Sequence, residues 1–329
     1  MYTIVNNSKN PYYNLALEEY ILKEKSYLGD FIWLWQNRPA VIIGRNQNAY
    51  EEINHQFIKE KEIDVVRRIS GGGAVYHDMG NINFTFISKN INKSDNMFHQ
   101  FTEPVISALR NLGVSAEFSG RNDIVVNNKK VSGNAQAYYQ DRLYHHGTLL
   151  FDSDLDIIEQ VLNVGFDKIS SKGIKSVRSR VDNIKPYLKT KINIEDFKSY
   201  LISYLLGTKD IKQKLYCLND EEQNKIKKLA EEKYQQWNWN YGRSPSFAFV
   251  KSGRFIGGKI SFYLNVKKGL IIDCKIYGDF FGSKDIEELA KQFEGIEYSQ
   301  LAFNKVLDRF PWKDYIYNIT KEEIMNCLF

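Results

Sequence analysis

Cysteine is scarce in this sequence. Three cysteines, Cys217, Cys274 and Cys327, stand among 329 residues, and no two of them form a Cys-x-x-Cys pair. An odd and widely spaced set argues against a disulfide framework and against a thiolate zinc site. We therefore expect reduced thiols and a cytoplasmic protein.

Long apolar runs are also missing. No uninterrupted apolar run approaches the roughly 18 residues that a transmembrane helix needs. Residues 1–7 carry neither a basic stretch nor an apolar stretch of signal-peptide length. We expect a soluble protein that is not exported by the usual route and has no membrane partner. No long apolar stripe demands a second chain, so we expect a monomer.

Neither sign of charge dominates. The 45 Lys and Arg residues exceed the 40 Asp and Glu residues by five. This excess is weaker than the clustered stripe of a typical nucleic-acid-binding protein, so we predict no nucleic-acid partner. It suits a phosphate-bearing ligand or an acidic protein.

The chain is long enough for about two domains. Asn10 and Pro11 predict the start of a first helix. The patterns that follow predict a helix over Glu51–Lys61, a strand over Ser115–Val126 and mostly helix from Leu155 to Glu232. A Gly-Arg-Ser-Pro sequence at residues 242–245 precedes three predicted strands and three predicted helices. We predict an α+β protein with a large mixed-sheet domain over residues 1–243 and a small α+β domain over residues 246–329.

The segment richest in chemistry-bearing residues is Arg67-Arg68-Ile69-Ser70-Gly71-Gly72-Gly73-Ala74-Val75-Tyr76-His77-Asp78. Three successive glycines between two predicted strands let a ligand approach the backbone, and the arginines offer charge to a phosphate or carboxylate. The Gly-Lys-Ser/Thr of a P-loop and the glycine spacing of a dinucleotide fold are both missing. The alternative is a hairpin turn with solvated arginines, but the neighbouring residues favour a binding loop.

A second segment, residues 120–135, predicts a β-hairpin. Asn127-Asn128 suits a two-residue turn because asparagine tolerates positive φ. That register places Val125 opposite Lys130 and Asp123 opposite Ser132, so Asp123, Lys130 and Ser132 are expected to share one face of the sheet.

The same register separates two adjacent lysines. Lys129 is expected to point to the opposite face from Asp123, which leaves Lys130 as the lysine able to reach that carboxylate. A surface ion pair of little energetic weight is the alternative interpretation.

Two further segments carry polar groups. His145 and His146 face opposite sides of a predicted strand, so they are poor partners for one metal ion, and we expect one of them to face the core. Five histidines without spaced carboxylates make a catalytic zinc site unfavourable. Residues 171–181, dense in cations and hydroxyls, predict either a solvated loop or a lid over an anionic ligand.

Together these segments resemble lipoate–protein ligases. The shared stretches are Arg67–Asp78, Gly120–Asp123, Lys130–Gly133, His145–Leu150 and Lys172–Val181, in the order of that family. The resemblance extends across nearly the whole chain, including a small C-terminal domain. It implies a mixed-sheet catalytic domain of the kind shared with biotin ligases, followed by a movable accessory domain.

The resemblance also implies a reaction in two steps. Lipoate and ATP, with Mg²⁺, give lipoyl-adenylate and pyrophosphate, and the lipoyl group then passes to a lysine of a lipoyl domain. The implied acceptors are the apo lipoyl domains of 2-oxoacid dehydrogenase acyltransferase subunits, the glycine-cleavage H protein, or both.

Carried over by position, Lys130 is implied to be the catalytic lysine. It can bridge the lipoate carboxylate and the α-phosphate and stabilise charge that develops on the phosphate oxygens. We expect Asp123 to bind Mg²⁺ directly or through a neighbour, Val75 to wall an apolar slot, and His77 to orient a phosphate or to pack. The implied lipoate- and ATP-binding residues are Arg68, Ser70, Gly72, Gly73, Ala74, Val75, Tyr76, His77, Asp123, Lys130 and Thr148. The implied adenylate lid contains Lys172, Ser176, Arg178 and Arg180.

The nearest alternative is an acyltransferase of the same fold that moves octanoyl or lipoyl groups between carrier proteins without ATP. Such enzymes use a nucleophilic cysteine, and all three cysteines here lie at Cys217 or later. The glycine pattern at Ser70–Gly73 disfavours a biotin ligase. The presence of Arg68 and Lys130 disfavours a catalytically silent binding protein.

Overall fold

A computed structural model describes residues 1–25, 27–89, 97–162, 180–241, 249–267 and 270–329. Within these ranges the strands are β1 (Tyr2–Thr3), β2 (Phe31–Trp35), β3 (Ala40–Ile43), β4 (Asp64–Arg67), β5 (Val75–His77), β6 (Asn81–Lys89), β7 (Ala116–Ser119), β8 (Asp123–Val126), β9 (Lys129–Tyr139), β10 (Arg142–Leu150), β11 (Phe249–Phe255), β12 (Gly258–Lys267) and β13 (Leu270–Gly278).

The helices in the same part of the chain are mostly short. They are α1 (Pro11–Glu24), α2 (Ala49–Glu52), α3 (His55–Glu60), α4 (Met97–Asn111), α5 (Leu155–Val161), α6 (Ile194–Leu206), α7 (Asp220–Leu229), α8 (Trp237–Asn240), α9 (Ile286–Lys291), α10 (Gln300–Arg309) and α11 (Lys321–Leu328). No helix of the described ranges has the length and apolar content needed to span a lipid bilayer.

The main sheet has the strand order β1-β2-β6-β10-β9-β8-β7, and β1 is its parallel edge strand. Because side chains alternate along each strand, the sheet presents two different faces. Leu34, Phe84 and Leu149 belong to one apolar cluster with residues of α4 and α6. Phe31, Trp33 and Trp35, from the opposite face, cluster with residues of α1 and of the small β4-β3-β5 sheet. The second face of the main sheet is therefore covered by α1 and the small sheet.

The first helix begins as the sequence predicts. The Asn10 side chain accepts hydrogen bonds from the backbone N–H groups of Tyr12 and Tyr13, and Pro11 occupies the first helical position. The helix is buried on most of its circumference, including the carboxylates Glu18 and Glu19. Charged side chains at such depth must be paired or hydrogen-bonded.

Two predicted elements are each split in the structure. The helix expected over Glu51–Lys61 becomes α2 and α3, because Asn54 caps a new helix by accepting a bond from the Phe57 N–H. The strand expected over Ser115–Val126 becomes β7 and β8, because Gly120 turns the chain with φ of 60°. Both predictions were wrong because a local turn overrides a continuous hydrophobic pattern.

The C-terminal residues form a second α+β unit. The β11-β12-β13 sheet buries Phe262 and Leu264 in an apolar cluster with residues of α9, α10 and α11, such as Leu289, Phe303 and Leu328. The mixed-sheet α+β fold with a separate small sheet and helices confirms the predicted fold class. The predicted boundary at residues 243–246 lies outside the described residues and stays a prediction.

Candidate active site

The hairpin that carries Lys130 turns as predicted, with one correction to its register. Asn127 and Asn128 have φ of 49° and 61°, as a two-residue turn requires. Val125 pairs with Lys130, but a bulge then shifts the pairing, so Asp123 faces Gly133 and not Ser132. The extra residue of the bulge sends Ser132 away from the shared face.

The predicted contact between lysine and carboxylate forms despite the bulge. The Lys130 Nζ lies 2.8 Å from Asp123 Oδ1, and the two side chains are 35% and 33% exposed. A Cβ at Gly133 would lie 2.8 Å from the same Nζ. The missing side chain at Gly133 thus leaves room for the ammonium group.

Lys129 makes a different contact. Its Nζ pairs with Asp182 Oδ2 at 2.9 Å, and Tyr187 donates to the same oxygen at 2.7 Å. The Lys130 backbone meets the same returning segment, since its N–H donates to the Arg180 carbonyl and its carbonyl accepts from the Asp182 N–H. Arg180 therefore lies beside the backbone of Lys130, whereas Lys172, Ser176 and Arg178 fall outside the described residues.

Arg68 organises the triple-glycine bend from within. Its guanidinium donates to Ser70 Oγ, and to the carbonyls of Ile42, Gly71 and Gly73. Burial lowers the pKa of Arg68 to about 10, although Tyr144 and Glu18 partly oppose the shift. With most of its donors bound by the protein, Arg68 fixes the shape of the bend.

The Arg67 guanidinium is bound by backbone carbonyls. The side chain is fully buried and donates to the carbonyls of Gly44, Gln47, Trp239 and Asn240. The expectation that this arginine offers charge to a phosphate or carboxylate was therefore wrong. Through the Trp239 and Asn240 carbonyls, Arg67 connects β4 to α8.

The glycines of the bend differ in what surrounds them. A Cβ at Gly71 would lie 2.6 Å from the Phe280 carbonyl oxygen, and one at Gly72 would lie 3.2 Å from the Phe281 ring. Gly72 also has φ of 86°. A Cβ at Gly73 would meet nothing within 4 Å. Gly73 is therefore the position where the bend faces open space.

A chain of buried polar groups supports the bend. The Ser70 hydroxyl lies 2.7 Å from His146 Nε2, and His146 Nδ1 lies 3.3 Å from Glu18 Oε1. Tyr144 donates to Glu18 Oε2 at 2.6 Å. Because Ser70 is completely buried, it acts on the site through Arg68 and His146.

The two adjacent histidines face opposite sides, as predicted. His145 lies in the apolar cluster side of the sheet, where its ring stacks on Phe101 and its Nδ1 bonds Gln136. Burial lowers the pKa of His145 well below its ordinary value, so this ring is neutral. His146 faces the opposite side and lines a cavity.

A narrow cavity of about 80 Å³, here called the central cavity, runs between the main sheet and the triple-glycine bend. Its predicted lining residues are Arg68, Gly72, Gly73, Ala74, Val75, His77, Lys130 and Thr148. Tyr76 does not line it: the side chain packs in an apolar cluster with Val41 and Ile58, on the other side of β5. Lys130 and Asp123 stand at the exposed end, and the buried residues Trp35, His77 and Asn83 stand at the other.

Several residues that line this cavity were not predicted from the sequence. They are Leu15, Trp35, Ile42, Asn83, Asn122, Asn134 and Ala135. Asn81, Asn83 and Thr85 alternate with apolar residues along β6, which by itself reads as a solvent-facing side. In the structure α1 and the small sheet cover that side of β6. The polar stripe along β6 was therefore the signal in the sequence that could have pointed to these lining residues.

The C-terminal unit reaches the bend. The Arg121 guanidinium stacks over the Phe281 ring at 4.6 Å and donates to the Gly257 carbonyl. Phe281 in turn lies against Gly71 and Gly72. Arg45 pairs with Asp285 at 2.8 Å nearby.

Comparison with known proteins shows the family to which this chain belongs. Residues 10–206 match the family of lipoyl protein ligase A/B catalytic domains. Residues 244–328 match the family of bacterial lipoate protein ligase C-termini. The lipoate-protein ligase LplJ of Bacillus subtilis is 47% identical over 98% of both chains. The chain belongs to the lipoate–protein ligases.

Two solved structures agree with this assignment. LipL1 of P. falciparum in complex with lipoate has a TM-score of 0.77 and 28% identity, over 99% of this chain and 97% of that one. A lipoate-protein ligase A bound with ATP has a TM-score of 0.63 and 27% identity, over 73% of this chain and 98% of that one. The resemblance noted from the sequence is confirmed.

The cysteines of this ligase stand apart from the central cavity. Among the described lining residues there is no cysteine. Burial raises the pKa of the Cys327 thiol to about 11 and also raises the pKa of Cys274. Both are inert thiols of the C-terminal apolar cluster.

The described residues contain no cluster of three or more His, Cys, Asp or Glu side chains able to hold a metal ion. Mg²⁺ in nucleotide sites commonly takes one or two carboxylates and completes its shell with phosphates and water. The carboxylate of Asp123, one-third exposed at the open end of the cavity, fits that requirement.

Proposed function

We propose that this lipoate–protein ligase activates lipoate at the exposed end of the central cavity and uses Lys130 to do so. The comparisons show that the chain is a lipoate–protein ligase. Such ligases use ATP and Mg²⁺, with lipoate as substrate. The acyl-adenylate intermediate and the residue roles are proposals supported by the arrangement of the cavity.

In the first step a carboxylate oxygen of lipoate attacks the α-phosphorus of ATP, and pyrophosphate leaves. In the second step the acceptor amine attacks the acyl carbon, AMP leaves, and the amine loses a proton. The Lys130 ammonium would contact the carboxylate and the α-phosphate together, which aligns two anions and offsets the charge gathered on the phosphate. Asp123 would hold the Mg²⁺ that shields the phosphates.

The position of Lys130 carries this proposal. Its Nζ stands where the central cavity opens beside Gly73, the one glycine of the bend with open space in front of it. A carboxylic acid with an apolar tail can place its tail inside and its carboxylate at the ammonium group. Arg68 and Ser70 would act by holding the bend.

Lipoate–protein ligases act on lipoyl-domain proteins. We propose that this chain modifies apo lipoyl domains of 2-oxoacid dehydrogenase acyltransferase subunits, the glycine-cleavage H protein, or both. That the chain acts in the cytoplasm, as a monomer, remains a prediction, as does the lid formed by residues 172–180.

A matched pair of lysine variants tests the role of Lys130. We expect wild-type protein to release pyrophosphate from ATP when lipoate is present and to add one lipoyl mass to an apo lipoyl domain. Lys130→Ala should abolish pyrophosphate release, because the two anions lose their shared cation. Lys129→Ala should have a mild effect, because its partner is Asp182.

Thermal unfolding of both variants controls for loss of fold. Equal loss of activity in both variants, or none in either, contradicts the assignment. Lipoyl transfer from a lipoylated carrier without ATP would instead establish an acyltransferase.

A further inference from the structure

Two buried polar atoms at the closed end of the central cavity have no hydrogen-bond partner among the described residues. They are His77 Nε2 and Asn83 Nδ2, and both residues line the cavity. His77 is 3% exposed and Asn83 is 1% exposed. A buried donor without a partner is unfavourable, so this end of the cavity favours an occupant able to accept a hydrogen bond.

The proton of His77 can be located from its neighbours. Asn14 Nδ2 donates to the carbonyls of Ser8 and Gln36 and to Asn37 Oδ1, so that atom of Asn37 is the oxygen. Asn37 Nδ2 therefore faces His77 Nδ1 at 3.0 Å and donates to it. The Nδ1 of His77 is an acceptor, and in the neutral ring the proton sits on Nε2.

The sheet shows which part of a ligand reaches this proton. Trp35 pairs with Asn83, and Asn83 pairs with Thr148, whose hydroxyl accepts from the Gly133 N–H beside Lys130. From the strand of Lys130 to the strand of Asn83 are two strand spacings, about 10 Å. That is close to the length of an extended eight-carbon acid. With its carboxylate at Lys130, such an acid places its far end at His77 and Trp35, whose rings lie 5.9 Å apart.

We propose that His77, through its Nε2–H at the closed end of the cavity, selects acids whose far end bears a disulfide ring over acids that end in a methyl group. This inference rests on the proposed function and names the specificity of the same site. The sulfurs of a dithiolane are weak acceptors and are polarisable beside an aromatic ring. The methyl end of octanoate accepts nothing, so its complex leaves the donor unpartnered.

Two substitutions of His77 separate the donor from the ring. In His77→Asn the amide oxygen can occupy the place of Nδ1 and keep the bond from Asn37, but the donor toward the cavity is removed. In His77→Gln the amide nitrogen can occupy the place of Nε2 and restore a donor. The measured quantity is the ratio of kcat/KM for lipoate to that for octanoate, from pyrophosphate release.

We expect wild-type protein to favour lipoate, and His77→Asn to lower the ratio about tenfold, the equivalent of one weak buried hydrogen bond. His77→Gln should keep most of the wild-type ratio. His145→Asn, on the opposite face of the sheet, is the control for general damage to the structure and should keep the ratio. Calorimetric affinities for both acids without nucleotide should show the same order.

Three results would overturn the proposal. They are a wild-type ratio near one, an unchanged ratio in His77→Asn, or an equal fall in His77→Gln, which would assign the effect to ring packing. If His77→Asn does not fold, a wild-type ratio near one or a clear fall in His77→Gln still overturns the proposal. Failure of the proposed function is distinct, because wild-type protein would then release no pyrophosphate with either acid.

Discussion

Replacing His77 with asparagine also tests whether this imidazole is neutral in the folded protein. Burial lowers the pKa of His77 from its ordinary value of 6.5 to about 3, and repulsion from His146 and Arg68 adds to the shift. Below pH 6.5 the unfolded chain binds a proton at this ring that the folded chain does not bind. The neutral His77 ring therefore makes its full contribution to the free energy of unfolding above pH 6.5, and this contribution is lost as the pH falls towards 3.

The size of the effect follows from the shift. Each pH unit between these two pKa values costs about 1.4 kcal/mol. Between about pH 7.5 and pH 5, His77 alone should therefore remove about 2 kcal/mol from the free energy of unfolding. His145 is also neutral by burial and contributes in the same direction.

Urea unfolding of wild type and His77→Asn across this pH range measures the difference. The variant should lose about 2 kcal/mol less than wild type on acidification, and His145→Asn should also flatten the dependence. Each protein is compared with itself at higher pH, so the cost of the substitution cancels. If wild type and His77→Asn lose the same free energy, the ring is charged or exposed in the folded state, and the assignment of a neutral Nε2–H donor fails.

Two further predictions concern the triple-glycine bend and its support. Gly71→Ala should lower the free energy of unfolding by about 1–3 kcal/mol, because its Cβ meets the Phe280 backbone, whereas Gly73→Ala should fold like wild type and weaken lipoate binding; equal melting temperatures for the two variants would contradict this difference. Glu18→Gln should cost about 2–3 kcal/mol in urea unfolding, because Tyr144 and its neighbours lose a charged acceptor; a change within the error of the extrapolation would show that the network contributes little.

The sequence predicts the hairpin contact for a reason that survives an error in register. Asn127 and Asn128 fix the turn, and Val125 then pairs with Lys130 as expected. The bulge that follows is not encoded in any single residue type, so Asp123 was assigned the wrong partner. A long lysine side chain tolerates a shift of one residue, and the ion pair with Asp123 forms regardless.

Arg67 shows the opposite case. It was expected, together with Arg68, to offer charge to a ligand, since a guanidinium pairs well with phosphate or carboxylate. Which backbone carbonyls converge on a guanidinium depends on loops far apart in the chain, such as Gly44 and Asn240 for Arg67. The same long-range dependence hid Trp35 and Asn83, because the layer that covers their face comes from α1 and the small sheet.

The alternation of side chains along β10 has a consequence for how such an enzyme can change its substrate. His146 and Thr148 face the central cavity, while His145 and Leu149 belong to the opposite layer. A one-residue insertion or deletion in this strand would exchange the two sets and place cavity-facing polar groups in the apolar layer. Substrate specificity can therefore change through point substitutions at every second position of β10. A change in the length of this strand would instead disrupt the apolar layer.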